Sequence, residues 1–324
     1  MLEHGGKLRE AMQRYGGSDW IDLSTGINPV GYPAPAPSPD AWQRLPEPDP
    51  ALVRAACAYY DAPGLLPVAG TQAAIQALPR LRAPARVSVS APSYAEHAHH
   101  WSRHGHELRQ VPYTALDAAV RDNDVVVVVN PNNPTGDTVA PDQLLAWHAQ
   151  LAARGGWLVV DEAFGDTAPA LSIAAYAERP GLIVLRSVGK FFGLAGLRLG
   201  FVAAAPALLA QLEDLLGPWA VSGPAQEIAL AALRDRGWQQ ATQARLARDG
   251  ERMRALLPGA SGTPLFHWWA QAQPEAFHEH MARRAIWVRL FRDAARGIRI
   301  GLPATEAEAH WQRLEQALRD WNQR

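Results

Sequence analysis

The segment Ser187-Val188-Gly189-Lys190, with Arg198 eight residues further on, offers a side chain suited to covalent chemistry. It follows Leu182-Ile183-Val184-Leu185, an apolar run with the character of a buried strand. A second strand-like run, Leu199 to Ala204, comes after it, and Gly189, Gly193 and Gly196 lie between. Lys190 is flanked by Phe191, Phe192 and Leu194, surroundings that disfavour an ammonium ion and suit an amine that attacks an aldehyde. The same pattern also describes a loop lysine whose stem packs on the two phenylalanines.

Three further segments sit where strands should end. Asn130-Pro131-Asn132-Asn133-Pro134-Thr135-Gly136 follows Val125 to Val129, a run expected of a central parallel strand. Its prolines and asparagines specify a turn, which places the Asn133 amide at the carboxyl edge of a sheet, where open α/β folds bind ligands. There it can donate to a phenolate oxygen. Asp161-Glu162-Ala163-Phe164 follows the strand-like Trp157 to Val160. An acid at the end of a buried strand is costly unless paired; a protonated pyridine nitrogen is one fitting partner, and a loop-capping role is the plainer alternative. Gly70-Thr71-Gln72 precedes a helical stretch, Ala73 to Leu78, with Thr71 as the expected cap and Gly70 letting backbone N–H groups converge on an anion. Ser187 and Arg198 add a hydroxyl and a cation at neighbouring strand ends.

The ordered set Gly70-Thr71-Gln72, Tyr94, Asn133-Pro134-Thr135-Gly136, Asp161-Glu162-Ala163-Phe164, Ser187-x-x-Lys190 and Arg198 resembles the fold-type I pyridoxal-phosphate enzymes. Within them the chain is similar to the histidinol-phosphate aminotransferase branch. His4-Gly5-Gly6, Ser24-Thr25-Gly26-Ile27-Asn28-Pro29 and Arg44-Leu45-Pro46-Glu47-Pro48-Asp49-Pro50 bring it nearest to that branch's threonine-phosphate decarboxylases of cobalamin biosynthesis. The resemblance implies an aspartate aminotransferase-like α/β fold, pyridoxal 5'-phosphate as cofactor and decarboxylation of L-threonine O-3-phosphate to 1-aminopropan-2-yl phosphate. It implies that Lys190 holds the cofactor covalently and moves protons at the substrate Cα, that Asp161 pairs with the pyridine nitrogen, and that Asn133 bonds the phenolic oxygen. Tyr94 would stack on the ring; Thr71, Ser187 and Arg198 would hold the phosphate, helped by the backbone of Gly70 and Gln72. Arg299 and Arg289 match arginines used for the substrate's acidic groups, and His4 and Asn28 match positions lining the amino-acid-phosphate pocket. Phe164 stands where many aminotransferases have tyrosine, and Leu45 where a tyrosine reaches the neighbouring subunit's cofactor; both departures tilt away from transamination. A histidinol-phosphate-type aminotransferase is the runner-up, and a non-catalytic cofactor-binding sensor is the third reading. A homodimer is expected from the same resemblance.

These groups need elements to hold them. The 324 residues, 48% of them hydrophobic, can build a large core and two domains. A net charge of −1 creates no field for nucleic acid or anionic lipid. Cys57 is the sole cysteine, so no disulfide framework exists; with no apolar leader at Met1-Leu2-Glu3-His4 and no run of the ~20 residues a membrane span needs, a cytoplasmic enzyme is expected. Residues 1–40, rich in Pro and Gly, read as an N-terminal arm packing with a smaller domain, anchored by Trp20, Ile21 and Leu23. Across residues 41–235, apolar runs alternate with helical segments, such as the one from Pro141 to a Gly155 stop, which implies crossover connections and a mostly parallel sheet around the cofactor. Residues 236–324 form the smaller α+β domain. Strands are expected near Leu265 to Trp269 and Trp287 to Leu290, and a last helix opens with a Thr305–Glu308 capping box. Arg289 and Arg299 both lie there, so domain closure would complete the substrate pocket. His97, His99, His100, His104 and His106 cluster after Tyr94, but without cysteines or a clear carboxylate pattern they read as a half-exposed helix rather than a metal site.

Overall fold

The computed structural model describes residues 5–292 and 295–323. In chain order its strands are β1 (Ile21–Leu23), β2 (Leu66–Val68), β3 (Arg86–Ser90), β4 (Glu107–Val111), β5 (Val125–Val129) and β6 (Trp157–Asp161), then β7 (Leu182–Ser187), β8 (Gly200–Ala204), β9 (Ser261–Thr263), β10 (Phe266–Ala270), β11 (Ile286–Phe291) and β12 (Gly297–Gly301). Two units contain them. One comprises Tyr32–Asn133 and Asp137–Gln239; the other comprises the described residues of Met1–Gly31, Pro134–Gly136 and Gln240–Arg324.

The first unit is built on a seven-stranded sheet in the order β2-β8-β7-β6-β5-β3-β4. From β4 to β7 every pairing is parallel, as apolar runs separated by helices require. Every residue of β5 and β7 is buried, so helices cover both faces and the strands show no alternation. Each fully buried valine or leucine here contributes about 1.5–3 kcal/mol. β2 and β4 were not expected. β2 is three residues with a central proline, and β4, Glu-Leu-Arg-Gln-Val, is a largely polar edge strand. Charged edges are how sheets resist pairing with other chains, and they also erase the apolar signal.

β8 runs antiparallel to β7, with Ser187 opposite Gly200. The connection 188–199 therefore leaves and re-enters the sheet at one edge, the carboxyl edge of β5, β6 and β7. That connection carries Lys190 and Arg198.

The second unit has a five-stranded sheet in the order β1-β11-β12-β10-β9. β1 pairs with β11 in parallel, and the other pairings are antiparallel. Tyr15, Trp20 and Trp287 pack their rings 6.3–6.5 Å apart beside β1. The final helix, Glu308–Asn322, buries Trp311, Leu314 and Leu318. Its expected capping box does not form: Ala307 is the N-cap, with no side-chain cap. The Thr305 hydroxyl donates to Asp249 and Glu308 pairs with Arg252 at 2.8 Å, because charged partners outbid a backbone N–H. Among the described residues no helix is long and apolar enough to cross a membrane.

Candidate active site

At the carboxyl edge of the seven-stranded sheet lies a cavity of about 130 Å³. Gly70, Thr71, Gln72, Tyr94, Asn133, Asp161, Ser187, Lys190 and Arg198 all line it, together with Phe164. These side chains come from five separate stretches of sequence. The parallel order β5-β6-β7 brings three of them side by side, since Val129 lies opposite Asp161 and Asp161 opposite Leu185.

Asp161 ends β6 and is 3% exposed. One carboxylate oxygen accepts from the Ala163 N–H at 3.0 Å, so the loop-capping role is present as well. The other lies 2.8 Å from Nε2 of His97, itself 1% exposed. An ionised carboxylate only accepts, so His97 Nε2 carries the hydrogen that holds Asp161 in place. His97 was not singled out from sequence. The helix Ala95–Arg103 is half-exposed, with His99 at the surface, and it buries His97 and His100 on its inner face. The available signal was spacing. Three residues after Tyr94, on the helix Ala95–Arg103, is where a side chain returns to the cavity face.

The helix Thr71–Ala77 begins at the same cavity. Gly70, not Thr71, is its N-cap, at φ 69° with no side-chain cap bond. Only glycine takes that conformation readily. A Cβ at Gly70 would meet the Arg198 guanidinium at 2.5 Å, so the glycine also makes room for the cation. Arg198 itself sits in the left-handed region at φ 53°, ψ 52°. Ser187 Oγ accepts from the Gly189 N–H at 3.2 Å, which leaves its own hydrogen for the cavity. Two hydroxyl-bearing residues, a guanidinium and a carboxylate thus line one cavity.

Lys190 is half-buried, with Nζ 5.5 Å from the centroid of Phe164. Phe164 is 4% exposed and presents a ring where a tyrosine would present a hydroxyl. Behind the cavity, Arg186 pairs with Glu162 at 2.6 Å and Asp166 at 3.0 Å, all three nearly inaccessible. Glu162 also accepts from Ser172 Oγ and the Ile173 N–H. Glu162 follows Asp161 and Arg186 precedes Ser187, so this buried network ties together the strand ends that carry two site residues. Breaking such a pair from one side costs about 3–5 kcal/mol. Sequence reading passed over it because its members are adjacent to more conspicuous residues.

The second unit holds the other expected residues. Arg289 on β11 lies directly opposite Arg299 on β12. Like charges in that position repel. Arg299 is 7% exposed, and burial, followed by Arg289, pushes its pKa down to about 10. Its Nη2 donates to the Ser24 carbonyl at 2.7 Å. Asn28 is 3% exposed, its Oδ1 accepting from the Val30 N–H and from Arg245 Nη2. His4 lies outside the described residues.

Over residues 19–290 the sequence matches the family described as aminotransferase class I and II. The chain belongs to that family. It is 52% identical to a threonine-phosphate decarboxylase of Pseudomonas aeruginosa, over 98% of this chain and 97% of that one. It is 45% identical to one from a Sinorhizobium species, over 93% of each. A histidinol-phosphate aminotransferase of Aeromonas hydrophila is 31% identical over 70% of this chain and 68% of its own. Among solved structures, the histidinol-phosphate aminotransferase of Sinorhizobium meliloti, in complex with pyridoxal-5'-phosphate, matches with a TM-score of 0.82 at 21% identity, covering 99% of this chain and 96% of that one. The L-threonine-O-3-phosphate decarboxylase of Porphyromonas gingivalis matches at 0.77 and 20% identity, over 94% of this chain and 100% of that one. The fold and family resemblance read from the motifs is borne out.

Proposed function

We propose that this chain is a pyridoxal-phosphate enzyme that decarboxylates L-threonine O-3-phosphate to (R)-1-aminopropan-2-yl phosphate and carbon dioxide, a step of cobalamin biosynthesis. The observation that carries it is the single cavity gathering a lysine, a buried carboxylate, two hydroxyls and an arginine. This donor set fits the cofactor. Thr71, Ser187 and Arg198 suit a phosphate dianion, and Gly70 keeps the space that a Cβ would fill. Asp161, held by His97, suits a pyridinium, and Asn133 a phenolic oxygen. When bound, pyridoxal phosphate supplies the electron sink that makes loss of carbon dioxide feasible.

The chain's own residues do the rest. Lys190 would hold the cofactor and, once released as an ammonium group, would deliver the proton that replaces the departing carboxylate on Cα. Tyr94, whose hydroxyl is pushed up to about 12 by burial, then by Glu96 and Asp161, stays neutral and offers its ring face. Arg289 and Arg299, with support from Asn28 and His4, take the substrate's acidic groups. An arginine gripping the carboxylate tightly would stabilise the ground state and oppose its loss. Either one arginine of the pair therefore serves mainly the phosphate, or the carboxylate clamp is loose.

Similarity to decarboxylases along nearly the whole chain, and Phe164 in place of tyrosine, favour decarboxylation over transamination. The purified enzyme, loaded with pyridoxal phosphate, is incubated with L-threonine O-3-phosphate with and without 2-oxoglutarate. Carbon dioxide released without the oxo acid, and lost in Lys190→Ala, supports the assignment. Glutamate formed only with the oxo acid makes the enzyme an aminotransferase instead. We further propose a cytoplasmic homodimer. The lone Cys57 suits a reducing compartment. Trp42, Leu45 and Trp219, 57–68% exposed, suit an apolar contact.

A further inference from the structure

Tyr94 is tied into a chain of side chains that the proposed reaction does not use directly. Its hydroxyl donates to Gln72 Oε1 at 3.2 Å. Gln72 Nε2 donates to Glu96 Oε2 at 2.7 Å. The same Glu96 oxygen lies 3.1 Å from Nε2 of His100. All four residues are at least half-buried, and the Glu96 side chain is 12% exposed. Gln72 belongs to the helix Thr71–Ala77, and Glu96 and His100 belong to Ala95–Arg103. The chain therefore bridges the two helices whose N-terminal ends flank the cavity.

Its direction is set by one member. A carboxylate can only accept, so Glu96 requires the Gln72 amide to present nitrogen, which turns the amide oxygen towards Tyr94. An amide alone has no preference between its two ends. With Glu96 ionised, the phenol must act as donor and its ring is held by that bond. His100 supports the arrangement: a carboxylate only accepts, so its Nε2 carries the hydrogen towards Glu96, and burial lowers its pKa against the pull of Glu96.

We propose that Glu96 is a positioning residue which, acting through Gln72, fixes the orientation of the Tyr94 ring on which the cofactor rests. The inference depends on the cofactor reading above, and its test separates the two. Pyridoxal phosphate is titrated into the cofactor-free protein, followed by protein fluorescence, for wild type, Glu96→Gln, Tyr94→Phe and the double variant. Glu96→Gln is expected to weaken binding about tenfold, the worth of one buried hydrogen bond, and to reduce the visible circular dichroism of the bound cofactor. Melting of the cofactor-free form should fall by only the few degrees that one lost hydrogen bond gives. Because both changes break one chain, the double variant should bind no more weakly than the weaker single variant. Gln72→Met, which removes the middle link, should reproduce Glu96→Gln and serves if that variant does not fold. Unchanged binding and dichroism, or effects of Glu96→Gln and Tyr94→Phe that multiply, overturn the proposal. A wild-type protein that takes up no pyridoxal phosphate overturns the cofactor reading, and this proposal with it.

Discussion

Replacing Arg299 by methionine separates a functional arginine from a structural one. Burial and the facing Arg289 bring its pKa down to about 10, so the cation is less favourable in the fold than in water by about 3 kcal/mol. Even the lowered value lies far above neutrality. Arg299 is therefore charged in folded and unfolded chains alike at pH 7, and the cost is constant until the pH rises past about 10. Arg299→Met removes that cost and also the donor to the Ser24 carbonyl, worth about 1–2 kcal/mol. The net expectation is a cofactor-free protein about 1 kcal/mol more stable, melting about 2 °C higher. Ligand binding should move the other way. In the cofactor-free form, where no turnover occurs, L-threonine O-3-phosphate at a hundred times its Kd stabilises wild type by about 2.7 kcal/mol. Loss of a buried charged contact weakens binding about a hundredfold, so the same concentration gives the variant about 0.4 kcal/mol. Differential scanning fluorimetry reads both effects. A variant that melts several degrees lower, with its ligand shift intact, would show that Arg299 holds the fold and not the substrate.

His267 is fully buried, and neither ring nitrogen has a partner among the described residues. Burial, then Arg254, lowers its pKa to about 4. The unfolded chain takes up the proton near pH 6.5, so the neutral ring's stability is complete above that value and lost as pH falls towards 4. At pH 5 the loss is about 2 kcal/mol; His267→Met should abolish that part of the difference in melting between pH 7.5 and pH 5. For the dimer, sedimentation should give twice the chain mass for wild type, and Trp219→Asp should move the equilibrium towards monomer. A wild-type monomer at micromolar concentration removes the assignment.

The part of this molecule written plainly in its sequence is the part where neighbours in sequence are also neighbours in function. Val125–Val129 followed by the asparagine-proline turn, or Leu182–Leu185 followed by Ser187 and Lys190, encode a strand, its end and a site residue in one stretch. Parallel strands buried on both faces have no polar alternation to obscure them. What stayed hidden depends on distant partners. His97 looked like one histidine among several because nothing in the sequence pairs it with Asp161, 64 residues away. The Thr305 capping box was a sound local pattern that lost to Asp249 and Arg252, charged groups brought in by the fold. β4 was missed because an edge strand carries charge where a core strand carries valine.

Arg198 shows why such sites resist local rules. A non-glycine residue at φ 53° costs of order 1–3 kcal/mol, and Arg198 is also exposed rather than packed. Local energetics would put glycine there. The conformation is imposed instead by its surroundings: Ser187 and Gly200 fix the two ends of the connection 188–199 opposite each other. Gly70 yields the space into which the guanidinium turns. In the ligand-free fold the guanidinium gains one exposed hydrogen bond, to the Ala195 carbonyl at 3.2 Å. Under the proposed function, a bound phosphate would offset this strain.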